Sequence, residues 1–457
     1  MKLRSIAICV SLGLSLTCAA ETPKYVFLFI GDGMGMGHVA ATQAYLREVK
    51  GEPDGLLMLN FPVAGICSTY SANSRVTDSA AAGSAIATGV KTNNSMVGMN
   101  ADTIPTYSFA KTLKEQGYGI GVVSTCAPDD ATPAAFYAHV PRRHQFYDIG
   151  KDMAVSDFDF FAGADLRGKT VDGKPTDLLD RLAANGYDVV RGEDAARKSA
   201  SRKIVMLNTD TKHDNNIGYA IDSIPGVLTL PQITSTTLDH LMKYTPESFF
   251  MMVENGNVDH SAHSNDGGGV IKDLINLDQS IAIAYEFYKA HPDETLIVVT
   301  ADHDTGGMAN GDLGTFSRTN LGYIDYQKMH KDTFADWCTA NKGKNISWDE
   351  MKSFLSDKLG FWTNVPISEK EEKKLRETFD KVFVEGSDES LKTWYHDFNV
   401  FAEEVYQTLN RHTGLYWTSH THTGNYVPVF AVGVGAEKFS NMNDNTEISK
   451  IIMTAKD

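Results

Sequence analysis

Long apolar runs, paired cysteines and basic charge are all scarce in this chain, and each scarcity removes a class of protein. Past residue 20 no stretch approaches the roughly 18 uninterrupted apolar residues of a membrane helix, so no transmembrane segment is expected. Five cysteines stand among 457 residues and none forms a CxxC pair. Cys9 and Cys18 fall in a leader. The odd remainder, Cys67, Cys126 and Cys338, allows one disulfide but no disulfide scaffold, and cysteine is not expected as a zinc ligand. Basic residues number 42 against 58 acidic ones, a formal net charge of −16. That balance argues against nucleic-acid backbones as partners. It also opposes anionic substrates at long range, so any phosphate site must invert the field locally. A dinucleotide fingerprint is missing as well. In Gly31-Asp32-Gly33-Met34-Gly35-Met36-Gly37, counting from Gly31 or Gly33 puts Met36 or His38 where GxGxxG needs its third glycine.

Lys2 and Arg4 precede the apolar stretch Ile6–Leu16, with small residues at Cys18 and Ala20. This predicts a secretory signal over residues 1–20, hence a secreted or periplasmic protein, with a lipid anchor on Cys18 as the alternative. Residues 21–457 read as a single α/β domain. Strand-like runs at Tyr25–Ile30, Val63–Ser68, Ile120–Ser124, Lys203–Leu207, Phe249–Val253, Leu296–Thr300 and Val427–Val432 alternate with helical patterns at Thr106–Gln116, Thr234–Tyr244 and Val270–Tyr288. Such alternation predicts a large, mostly parallel central sheet with helices on both faces. Residues 311–416 break the pattern. They are rich in Lys, Glu, Asp, Trp and Phe, and Ser347-x-x-Glu350 and Ser368-x-x-Glu371 fit the capping box of a helix start. They read as a helical insertion, either a solvated decoration, a lid over the site or a dimer contact.

Chemistry-bearing residues gather where strands end, the place open α/β sheets use for their sites. Asp32 sits inside its glycine turn, where it would repel a pyrophosphate but can face a cation at close approach. Asp259 and His263 are four apart, on one face of a helical turn. Asp302-His303 follows a Val-Val-Thr strand end, and His422 opens His422-Thr423-Gly424. These six donors suit a polynuclear centre of borderline-hard ions such as Zn²⁺. Thr132 and Asp130, in Asp130-Ala131-Thr132-Pro133, offer the oxygen shell that Mg²⁺ prefers, and Glu254 closes another strand. Ser79 opens an alanine-rich helix capped by Thr77 or Asp78, where free N–H groups favour a bound anion. Arg142 or Arg143 could fork onto two phosphate oxygens. His260, His412 and His420 are decoys by position, the last two reading as loop histidines.

In combination, Thr77-Asp78-Ser79-Ala80-Ala81, Glu254-x-x-x-x-Asp259-His260-x-x-His263, Ala301-Asp302-His303 and His422-Thr423-Gly424 resemble the alkaline phosphatase family. The resemblance implies phosphate monoester hydrolysis through a phosphoserine on Ser79, at two Zn²⁺ and one Mg²⁺, releasing inorganic phosphate and an alcohol. One zinc would be held by Asp259, His263 and His422, and the other by Asp32, Asp302 and His303 together with Ser79. Asp32, Thr132 and Glu254 would hold magnesium. Arg143 rather than Arg142 would clamp phosphate, with Asp78 on its guanidinium. Asp130 and His260 would tune magnesium occupancy and phosphate release. A homodimer and a high pH optimum also follow from the family. The competing readings are a superfamily phosphodiesterase and a secreted metal- or phosphate-binding protein without turnover.

Overall fold

The computed structural model describes residues 23–209, 215–311 and 319–454. The leader expected over residues 1–20 lies outside them. Nine strands form the central sheet: β1 (Tyr25–Gly31), β2 (Val63–Cys67), β3 (Gly119–Ser124), β4 (Phe160–Gly163), β5 (Tyr187–Arg191), β6 (Lys203–Leu207), β7 (Phe249–Asn255), β8 (Thr295–Thr300) and β9 (Val427–Gly433). Their spatial order is β2-β9-β8-β1-β7-β3-β4-β6-β5. Only the β8–β9 and β9–β2 pairs are antiparallel, so the sheet is mostly parallel, as the alternation predicts.

The central strands are buried along their whole length, which is why they read as unbroken apolar runs. β1 lies between β8 and β7, with Ile30 opposite Thr300 on one side and Glu254 on the other. The loops bearing Asp32, Asp302 and the Glu254–His263 segment therefore leave the same sheet edge side by side. β3 ends there too, with Ser124 beside Glu254. β9 runs the opposite way, so the segment before it, containing His422, arrives at that edge. Within the loops, Asp304–Thr305 pairs with His422–Thr423, which fixes two donor segments to each other.

Helices are packed around this sheet, including α1 (Met36–Ala44), α2 (Ser79–Thr88), α3 (Ala131–Ala134), α4 (Asn257–His263) and α5 (Gly267–Ala290). α5 lays Ile271, Leu274, Leu277 and Ile281 into the core. In the insertion, α6 (Lys331–Asn341), α7 (Trp348–Leu359), α8 (Glu369–Phe379) and α9 (Val400–Thr413) enclose a separate apolar core that includes Phe334, Leu355, Phe379, Phe401 and Tyr406. Both serine capping boxes form, at the starts of α7 and α8. A hairpin of Ser390–Lys392 with Asp397–Asn399 also belongs to this region. Cys67, Cys126 and Cys338 are free and buried, so the one disulfide the count allowed is not made. Among the described residues no helix is long and apolar enough to cross a membrane.

Candidate metal centre

Asp32, Glu254, Asp259, His263, Asp302 and His303 are all buried at the sheet edge. The turn after β1 can carry Asp32 inward only because of its glycines. Gly33 has φ +69°, and a Cβ there would stand 2.8 Å from both Asp259 Oδ1 and Thr305 Oγ1. Ligand atoms of Asp32, Asp302 and His303 lie within 4.8 Å of one another, as do those of Asp259, His303 and His422. His263 was expected beside Asp259 and His422, and its Nε2 is 3.4 Å from Asp259 Oδ2 and 3.1 Å from His422 Nε2. His303 thus stands between the two groups, stacked on His422 with ring centroids 3.6 Å apart.

All three histidines turn the same nitrogen inward, for a reason visible in their outer contacts. His422 Nδ1 lies 2.8 Å from the Thr77 carbonyl and His263 Nδ1 2.6 Å from the His420 carbonyl, so both Nδ1 atoms donate. Thr305 gives its proton to Asp259, which leaves its oxygen to accept from His303 Nδ1 at 3.2 Å. Each Nε2 then presents a lone pair to the centre. Two such lone pairs at 3.1 Å, from His263 and His422, repel unless a cation or an added proton stands between them. His420, read as a loop histidine, contributes its carbonyl. His412 pairs with Glu371 in the insertion instead.

The carboxylates make the same demand. Asp32 Oδ1, Asp259 Oδ2, Asp302 Oδ2 and Thr132 Oγ1 are buried without a hydrogen-bond partner, an arrangement that costs about 1–3 kcal/mol per group or more if nothing fills it. Burial, and then the charge of Asp259, pushes Asp302 up to about 8. Burial likewise raises Glu254 to about 7, against a hydrogen bond from Ser124. Asp32 is raised well above its ordinary range by burial and by Asp302 and Asp259. Asp259 goes the other way: burial would raise it, but His263 and His422 hold it well below. A pocket of unpartnered oxygens and imidazole lone pairs, with acids pushed toward protonation, fits divalent cations of the kind expected.

Ser79 is the first residue of α2, and its Oγ is 3.2 Å from His303 Nε2. Of the two candidates for the cap, Asp78 takes the position, accepting from Ala81 N–H. Its other oxygen accepts from Ser95 N–H and faces Arg143 Nη1 at 3.7 Å. Arg143 is buried between Asp78 and Asp130, with Nη2 3.3 Å from Asp130, whereas Arg142 is exposed. Arg167 adds a second cation 3.6 Å from Asp130. His260 faces Cys126 Sγ at 3.8 Å and Asn216 at 3.4 Å, away from the ligand groups. Sequence reasoning missed Ser124, Thr305 and Arg167, none of which carries a motif of its own. It also missed Tyr395, at the tip of the insertion hairpin, whose ring lies 4.1 Å from His260 and 5.1 Å from His263.

A mostly parallel α/β sheet with a buried Asp/His cluster at its edge is an arrangement suited to a metal-dependent hydrolase. The alkaline phosphatase family profile matches residues 23–158 and 157–457, and the chain belongs to that family of phosphate monoester hydrolases. Alkaline phosphatase 4 of Bacillus subtilis (strain 168) is 28% identical over 451 residues, covering 95% of this chain and 89% of its own length. The repressible alkaline phosphatase of Saccharomyces cerevisiae is 25% identical, covering 96% and 82%. Among solved structures, the cold-active alkaline phosphatase from the psychrophile Shewanella sp. superposes with a TM-score of 0.79 at 24% identity, over 94% of this chain and 99% of that one. The Thermus thermophilus alkaline phosphatase gives 0.77 at 23%, over 96% and 92%.

Proposed function

We propose that the chain cleaves phosphate monoesters through a phosphoserine on Ser79, at a centre of two zinc ions and one magnesium ion. The observation that carries this reading is the set of four buried oxygens without hydrogen-bond partners, on Asp32, Thr132, Asp259 and Asp302. Asp259, His263 and His422 would hold one zinc, and Asp32, Asp302 and His303 the other. Asp32, Thr132 and Glu254 would hold magnesium, which prefers oxygen ligands. Bound there, the ions supply Lewis acidity and the positive charge that a chain of net charge −16 otherwise denies a phosphate dianion.

The protein's own part is positioning. The first turn of α2 directs free N–H groups at the phosphate, and Arg143, held between Asp78 and Asp130, offers its fork to two phosphate oxygens. Ser79 Oγ gives its proton to solvent and attacks phosphorus in line as the ester P–O bond breaks. The alcohol leaves with that electron pair and takes a proton from solvent. Water then attacks phosphorus as the Oγ–P bond breaks, Ser79 Oγ takes that electron pair and regains a proton, and inorganic phosphate departs. Secretion after loss of the leader and assembly into a homodimer belong to the same reading; N-terminal sequencing and sedimentation velocity test them.

Ser79→Ala tests the covalent step. Phosphate release from nitrophenyl phosphate is expected to fall at least about a thousandfold, the scale seen when a nucleophile is lost, while zinc content stays unchanged. Full activity in the variant would remove the phosphoserine from the reaction. A bis-nitrophenyl ester run alongside is expected to turn over more slowly than the monoester; the reverse order would indicate a phosphodiesterase.

A further inference from the structure

Beside the centre, a cavity of about 280 Å³ opens to solvent, lined by Arg143, His263 and His422 and, from the insertion hairpin, by Trp394. Trp394 is 60% exposed. A large aromatic surface left in water beside a phosphate-directed arginine is unspent binding area. Nor is its position loose. The turn that carries it is closed by Thr393 N–H to the His396 carbonyl at 2.9 Å, with the Thr393 hydroxyl on the same carbonyl at 2.8 Å. Phe398 on the returning strand is fully buried, with the Lys331 ammonium 4.2 Å from its ring centroid. His396 pairs with Asp336 of α6 at 3.4 Å. Tyr395 packs its ring over His260 and against the edge of His263. The insertion thus fixes the hairpin tip beside His260 and His263, with Trp394 lining the cavity.

We propose that Trp394 stacks on the alcohol moiety of the substrate and makes the enzyme prefer phosphate monoesters whose alcohol carries a planar aromatic ring, nucleoside monophosphates among them. The inference rests on the phosphomonoesterase reading above. The phosphate goes to Arg143 and the start of α2, and the alcohol projects outward along the cavity. Val76, 37% exposed, supplies apolar surface to the same cavity.

Adenosine 5′-monophosphate and ribose 5-phosphate share the reacting phosphate and the primary alcohol and differ in the base, so their comparison isolates the stack from the chemistry. With the wild-type enzyme, KM for the nucleotide is expected to be about tenfold lower, the size of one base–aromatic stack, at similar kcat. Trp394→Ala should raise KM for the nucleotide to that of the sugar phosphate while leaving kcat and both constants for ribose 5-phosphate unchanged. Trp394→Phe should keep most of the preference. Equal kcat/KM for the two esters in the wild type, or an equal loss for both in Trp394→Ala, would overturn the inference. Release of phosphate from neither ester would overturn the activity itself, and the inference with it.

Discussion

At the residue scale, the centre is a set of groups each incomplete without its neighbours. Asp302 and Glu254 sit at about 8 and about 7 because burial disfavours their charge and other acids stand close by. Both folded values lie above those of an unfolded chain, so the metal-free fold binds protons there that the unfolded chain does not. The stability that comes from these protons is fully present below the unfolded carboxyl range at about 4, falls as pH rises, and is gone above the folded values. Metal-stripped protein should therefore lose about 1 kcal/mol per pH unit for each such proton between pH 5 and 7, while the metal-loaded protein, whose carboxylates are already ionised, should not. Paired melting curves at pH 5 and 7, with and without zinc and magnesium, check this. A gap between the two forms that fails to widen with pH would contradict it. The clustered Asp and His residues were legible in the sequence as candidates because such side chains are conspicuous after buried strands. Thr305 and the His420 carbonyl were not, since any threonine can donate a hydrogen bond and every residue has a carbonyl. Which atoms act on Asp259 and His263 is settled only by the tertiary contact.

At the element scale, the short pairing of Asp304–Thr305 with His422–Thr423 ties the loop after β8 to the segment before β9. Gly35 lies directly beneath it, and a Cβ there would stand 1.6 Å from Asp304 Oδ1. Asp304 in turn accepts from the Thr423 hydroxyl and from Asn425 Nδ2. Gly35→Ala must push Asp304 and the paired segment outward, carrying His303 and His422 with them. Metal affinity is expected to fall about 10–100-fold, read by competition with a zinc chelator, with a stability loss of about 1–3 kcal/mol from overpacking. Unchanged affinity would show that the pairing does not position the histidines. The long buried strands and the two serine-capped helices were readable from their patterns. β4 was not, being a short segment in a stretch that mixes Asp with Phe. β5 was not either, because as an edge strand it exposes Asp188 and Arg191 and so breaks the apolar run. α5 begins at three glycines, Gly267–Gly269, that read as loop but follow the Asp266 cap, whose side chain accepts from Gly269 N–H.

At the scale of the whole molecule, the proposed function requires an acidic chain to hold cations for an anionic substrate at one edge of its sheet. Five adjacent strands, β9, β8, β1, β7 and β3, deliver donors to that edge from segments hundreds of residues apart in sequence. Strand–helix alternation made the α/β class legible, and the motif combination singled out the residues that gather at this edge. The insertion was legible only as helical, and its hairpin, which reaches the centre through Tyr395, was hidden because nothing in Thr393–His396 announces a contact with residues more than a hundred positions away. The most direct measurement is the metal content of the purified chain taken together with turnover of a phosphate monoester before and after EDTA. Two zinc ions and one magnesium ion per chain are expected, with turnover abolished by chelation and regained when both metals return. A chain that hydrolyses the ester at full rate with no bound metal would contradict the shared-cation pocket.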